Sequence, residues 1–86
     1  MKIRYYGHSA ISFHIDSHTV IVDPFLTENP LYGRVPPDLK PSTIVCTHGH
    51  EDHVGNAVEL SKHHQAPIVA CFELANQLEK LGGTVI

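Results

Sequence analysis

Over its first 23 residues this chain alternates apolar with polar positions, and past residue 53 it changes to a repeat of three and four. Lys2 to Tyr6, Ala10 to Ile15 and Thr19 to Asp23 predict three short strands. In the middle one Ile11, Phe13 and Ile15 alternate with Ala10, Ser12 and His14, the pattern of a half-covered strand. Asp16-Ser17-His18 predicts a hairpin turn, where an Asp carboxylate can bond the turn's own backbone. Pro24 to Ser42 holds five Pro and one Gly, which predicts a long irregular loop of the kind that is usually functional in a small domain. The β-branched run Thr43 to Thr47 predicts a fourth strand, Val54 to His64 a helix, and Pro67 to Cys71 a further strand. Phe72 to Leu81 predicts a second helix with Leu74, Leu78 and Leu81 on one face, ended by Gly82-Gly83 before a last strand from Thr84 to Ile86. Strands separated by helices imply parallel crossovers. The expected fold class is therefore α/β, in the order β-β-β-β-α-β-α-β, as one domain over residues 1–86.

The chemistry concentrates in Thr47-His48-Gly49-His50-Glu51-Asp52-His53, directly after the fourth predicted strand. Three imidazoles and a carboxylate within six positions are suited to a divalent cation, because ring nitrogens and carboxylate oxygens are the donors that Zn²⁺ and similar ions prefer. Were the extended backbone to carry on past Thr47, His48 and His50 would point the same way and face one ion. Gly49 between them would let the backbone bend and approach closely. Asp52 and His53 would leave the loop in another direction, which suits a second ion beside the first. The bland alternative is a polar surface loop with Asp52 capping the helix that follows. Glu51 is expected to point outward.

The His-x-His-x-Asp-His pattern resembles the signature of the metallo-β-lactamase superfamily. Gly7-His8-Ser9-Ala10 and Ile21-Val22-Asp23-Pro24-Phe25-Leu26-Thr27-Glu28-Asn29-Pro30, with the run ending Val54-Gly55, look like a family of uncharacterised metal-dependent hydrolases within it, relatives of L-ascorbate-6-phosphate lactonase-like proteins. The resemblance implies the N-terminal half of an αβ/βα sandwich, with His48 and His50 on one metal and Asp52 and His53 on the other. It also implies that members exceed twice this length and supply the remaining ligands later. The chain would then be an N-terminal part or be completed by another polypeptide, and inactive by itself.

On that footing the expected activity is metal-dependent hydrolysis. A metal-bound hydroxide, oriented by Asp52 as the catalytic residue, would cleave an ester, lactone, amide or phosphoester bond. The cofactor would be one or two divalent ions, zinc first, with manganese, nickel or iron as alternatives. The helix after His53 would turn its positive end toward the site. Asp23 would accept a hydrogen bond from a metal-bound imidazole and fix its ring, or else form a turn. His8 would reach the site edge to touch substrate or a ligand, or serve as a structural imidazole. Tyr32 and Arg34 are the candidate substrate contacts on the long loop. The competing class is a non-catalytic metal-binding or interaction module, in which a half-sandwich leaves one apolar sheet face exposed and self-associates or takes a complementing C-terminal half.

Composition narrows the partners. With 42% hydrophobic and 17% charged residues the chain is an ordinary globular sequence, and its net charge of -3 with only six scattered Lys and Arg argues against a nucleic-acid surface. A small-molecule substrate is expected, with no nucleic acid and no membrane, since no apolar run approaches the roughly 20 residues of a span. The N-terminus shows no signal-peptide core, so a cytoplasmic location is expected. Eight His is the compositional outlier, and His8, His48, His50 and His53 are the four that fall in motifs. Tyr5, Tyr6, Phe13, Phe25 and Phe72 are expected in the core, with Cys46 and Cys71 as small buried thiols.

Overall fold

The computed structural model describes residues 1–86. Strands β1 (Lys2–Gly7), β2 (Ala10–Ile15) and β3 (His18–Val22) form an antiparallel meander, and β4 (Thr43–Val45) and β5 (Ile68–Val69) extend it in parallel. The five strands lie in sequence order across one sheet. The first two connections are tight turns, which can only join antiparallel strands, whereas β3 to β4 and β4 to β5 run through the long loop and through helices. The helices are α1 (Glu51–Val54), α2 (Ala57–His64) and α3 (Phe72–Lys80).

The side chains of Tyr6, Ala10, Ile21, Ile44 and Ile68 leave the sheet on one face and meet Leu26 and Leu39 of the loop, Ala57 and Leu60 of α2, and Leu74 and Leu78 of α3. That layer is the core. The opposite face carries Ile3, Tyr5, Ile15 and Val69, which are 55%, 64%, 45% and 41% exposed. Tyr5 is thus on the surface, and so are Phe72, at the start of α3, and Cys71; only Tyr6 of the five aromatics is fully buried. The two cysteines are free, Cys46 alone being buried, and burial with the nearby Asp23 charge pushes its thiol up to about 12.

Several elements are shorter than the sequence predicts. The fourth strand ends at Val45 rather than Thr47, the fifth covers two residues, and the expected last strand is a single parallel bridge between Ile68 and Val85. The expected helix over Val54 to His64 is two helices, broken at Gly55-Asn56. The break follows from packing. A Cβ at Gly55 would lie 2.5 Å from both the Phe25 Cα and the Pro24 carbonyl oxygen, and φ there is +45°. Only glycine admits so close an approach. The Asn56 amide N–H donates to the Pro24 carbonyl at 2.8 Å, and its side-chain oxygen accepts from the backbone N–H of Leu26 and Thr27. A second buried asparagine, Asn29, donates to the carbonyls of Tyr6, Gly7 and Phe25. These two amides pin the long loop between the end of β1 and the start of α2.

Candidate metal centre

Because β1 and β3 each pair antiparallel with β2, they run the same way, and β4 is parallel to β3. His8, Asp23 and the 47–53 run therefore all lie just beyond the C-terminal ends of their strands, on one edge of the sheet. Ligands of sheets with parallel strands gather at that edge.

Asp23 leaves β3 at φ +48°, a left-handed conformation that Asp tolerates. Its carboxylate is almost fully buried and receives three hydrogen bonds: Thr47 N–H at 2.8 Å, the Thr47 hydroxyl at 2.7 Å and His53 Nδ1 at 2.8 Å. Burial alone would raise the Asp23 pKa, but the bonds from Thr47 and His53 outweigh it and hold the carboxyl below its ordinary value.

An ionised carboxylate has only acceptors, so Nδ1 of His53 carries the proton, and in the neutral ring Nε2 bears the lone pair. The same logic reaches one residue further. The Thr47 hydroxyl uses its single proton on Asp23, so toward His48 Nδ1, 3.0 Å away, it can only accept. His48 is thereby also protonated on Nδ1, with its Nε2 lone pair free to bind a cation. One buried carboxylate fixes the tautomer of two imidazoles, a pattern typical of metal-binding histidines. Thr47 was not singled out by the sequence, although a hydroxyl on the first residue of the loop was there to be read.

The rings come together. His48 and His50 have centroids 4.6 Å apart, His48 and His53 3.9 Å, and His8 and His53 5.2 Å. His48 and His50 thus lie side by side, with the His53 ring against His48 and the His8 ring against His53. A strand extension does not align His48 with His50, since the backbone bends from Thr47 to Gly49. Gly49 has no left-handed φ, and a Cβ there would meet Leu74 in ordinary contact at 3.5 Å. Asp52 and His53 lie within α1, whose N-cap is His50 with no side-chain cap bond. Asp52 is therefore not a helix cap. The helix that follows His53 is α2, which starts at Ala57 after Asn56.

Asp52 meets His8, from the β1–β2 turn, at 3.1 Å between Oδ2 and Nε2, and His53 Nε2 at 3.8 Å from Oδ1. His8, Asp52 and His53 can each offer one ligand atom such that all three lie within 4.8 Å of one another. Nitrogen and carboxylate donors this close, with ring tautomers set from behind, fit a divalent cation. Tyr32 and Arg34 lie elsewhere: Tyr32 accepts from Arg4 at 3.2 Å and packs edge-on against Tyr6, while the Arg34 guanidinium lies 5.9 Å above the Tyr32 ring. Beside the cluster, a cavity of about 550 Å³ runs between Phe25, Glu51, Val54, Glu59 and Leu78.

A mixed sheet with helices on one face and a histidine-rich loop at its C-terminal edge defines an α/β protein with a candidate metal site at that edge. The chain belongs to the metallo-beta-lactamase superfamily, whose family model matches residues 6–83. It is 44% identical over 82 residues to a UPF0173 metal-dependent hydrolase of Geobacillus thermodenitrificans, covering 95% of this chain and 36% of that one. It is 45% identical over 86 residues to a UPF0173 metal-dependent hydrolase of Thermoplasma acidophilum, covering 100% and 38%. Among solved structures it is similar to Igni18, a metallo hydrolase from the hyperthermophilic archaeon Ignicoccus hospitalis, with a TM-score of 0.87 and 32% identity over 98% of this chain and 37% of that one. The chain thus spans 36–38% of the length of these curated relatives. No helix is long and apolar enough to cross a membrane.

Proposed function

We propose that the cluster at the sheet edge is the metal site of a metal-dependent hydrolase acting on an ester, lactone, amide or phosphoester bond in a small molecule. The observation that carries this reading is the gathering of the His8, Asp52 and His53 ligand atoms within 4.8 Å of one another, with the His48 ring 3.9 Å from that of His53 and both of these imidazoles turned by the Asp23–Thr47 bonds so that Nε2 is free. His48, His50, Asp52 and His53 would hold one or two divalent ions, zinc first by donor type, with manganese, nickel or iron as alternatives. A divalent ion so held supplies Lewis acidity that brings the pKa of water toward about 7. The chain's own part is to orient. Asp23 and Thr47 keep two imidazoles in one tautomer, and Asp52, with one oxygen toward His53 and the other toward His8, is placed to accept a proton at the reacting edge. The UPF0173 relatives are named metal-dependent hydrolases, which supports the reading.

Chelation of the intact protein should abolish hydrolysis of a panel of esters, lactones and phosphodiesters, and zinc should restore it. His50→Ala and Asp52→Ala should lose both bound metal and turnover. Undiminished hydrolysis by metal-free His50→Ala overturns the proposal. The second reading, a non-catalytic metal-binding module, is favoured by the openness of the cluster, where the His8 and Asp52 side chains are 38% and 47% exposed. Metal uptake abolished by Asp52→Ala, with no turnover on any substrate of the panel, supports that reading instead.

A further inference from the structure

One imidazole reaches the cluster from outside the 47–53 loop. His8 sits on the turn between β1 and β2, after a register shift at Tyr5/Gly7 that bends the end of β1. Its φ of +56° follows Gly7 at +100°, so two successive residues lie in the left-handed region. A positive φ is uncommon for a residue with a side chain, although His, like Asp and Asn, adopts it more readily than most, and such residues are often found at functional sites. Here the Tyr5 hydroxyl donates to the His8 carbonyl at 2.6 Å, and Asn29 donates to the Gly7 carbonyl at 3.1 Å. The ring packs edge-on against Phe25 at 5.6 Å and His53 at 5.2 Å, which places Nε2 beside Asp52.

The geometry points to His8 as a direct ligand of the divalent cation, shared with Asp52 and His53. This inference rests on the reading that the cluster binds metal. Two donors on one tetrahedral zinc, each about 2.0–2.1 Å from it, stand about 3.3 Å from each other. His8 Nε2 stands 3.1 Å from Oδ2 of Asp52 and His53 Nε2 3.8 Å from its Oδ1, on either side of that distance, and one ligand atom from each of the three residues lies within 4.8 Å of the others. The three residues come from the β1–β2 turn and from α1, so the cation would tie the start of the sheet to the metal loop. His14 shows what a purely structural imidazole looks like in the same sheet: its two ring nitrogens lie against the hydroxyls of Ser12 at 2.8 Å and Thr19 at 3.3 Å. His8 Nε2 faces a carboxylate and another imidazole instead.

The test uses the intact protein with histidine ring nitrogens isotopically labelled and an NMR-active cadmium isotope as the probe. A through-bond coupling between cadmium and the His8 ring nitrogen is expected, assigned by its loss in His8→Gln. Zinc affinity should fall by about tenfold or more in His8→Gln, a change at least as large as that for removing an outer partner. Gln keeps an N–H donor for Asp52, so it would preserve affinity if His8 only hydrogen-bonded the carboxylate. His8→Asn, which tolerates the left-handed backbone, gives the same assignment and affinity comparison should the Gln variant not fold. Cadmium coupled to the loop imidazoles but not to His8, or zinc affinity unchanged in His8→Gln, overturns the His8 assignment alone. Wild-type protein that binds neither ion overturns the metal-site reading as well.

Discussion

At the scale of single residues, the site is organised from behind by Asp23. A carboxylate at the end of a strand, before a proline, was legible as a group able to reach an imidazole, and the structure gives it that hydrogen bond to His53. What was not legible is that Thr47 passes the same constraint to His48, because the link depends on the hydroxyl having one proton and two neighbours. Asp23→Asn should weaken zinc binding about 10–100-fold, read by competition with a chelator, while leaving the far-ultraviolet dichroism unchanged. The variant also predicts a pH effect. Folding lowers the pKa of Asp23, so its ionised form is the one the fold favours. Its contribution to stability is complete above the unfolded carboxyl value near about 3.9 and is lost as pH falls through the lower folded value. Metal-free wild type should therefore lose stability more steeply than Asp23→Asn below about pH 4, measured by urea unfolding at a series of pH values. Parallel curves would show that Asp23 is not held as its hydrogen bonds indicate.

At the scale of elements, the strands and helices were legible wherever burial follows a local period. Residues alternate in β2, but with Ala10 and Ser12 on the buried side and Ile11, Phe13 and Ile15 on the more open one, while Leu74 and Leu78 line the buried side of α3 and Leu81, just past its end, is exposed. The split between α1 and α2 was not legible, because Val54-Gly55-Asn56-Ala57 continues a helical pattern and the cause of the break lies 30 residues away in Pro24 and Phe25. The same loop was read as irregular from its prolines, but the two asparagines that fasten it, Asn29 and Asn56, carry no periodic signal at all. Asn56→Ala leaves the N–H groups of Leu26 and Thr27 without their acceptor. It should cost about 1–3 kcal/mol through the buried Leu26 N–H, the Thr27 N–H being open to water. The measurement is thermal unfolding, and a variant as stable as wild type would show that water replaces the amide without loss. Because this segment runs on from Asp23, zinc affinity should fall with stability.

At the scale of the whole molecule, one face of the sheet is covered and the other presents Ile3, Tyr5, Ile15 and Val69 to solvent. A half-sandwich with such a face was expected from the resemblance, whereas the exposure of Tyr5 and Phe72 was not, since aromatic side chains look like core in any local window. The site's position was legible for a topological reason. The motifs at His8, Asp23 and 47–53 each follow a strand, and strands β1, β3 and β4 deliver them to one edge. The closeness of the His48 ring to those of His50 and His53 depends on the bend after Thr47 and the one-turn helix α1, which the spacing alone does not specify. The claim on which all of this depends is that these side chains gather around a cation. Crystals of the intact protein grown with zinc and measured at its absorption edge test it directly. The account predicts an anomalous peak about 2.0–2.1 Å from donor atoms of the His48, His50, Asp52 and His53 cluster. Rings turned apart, with no anomalous density among them, would contradict it.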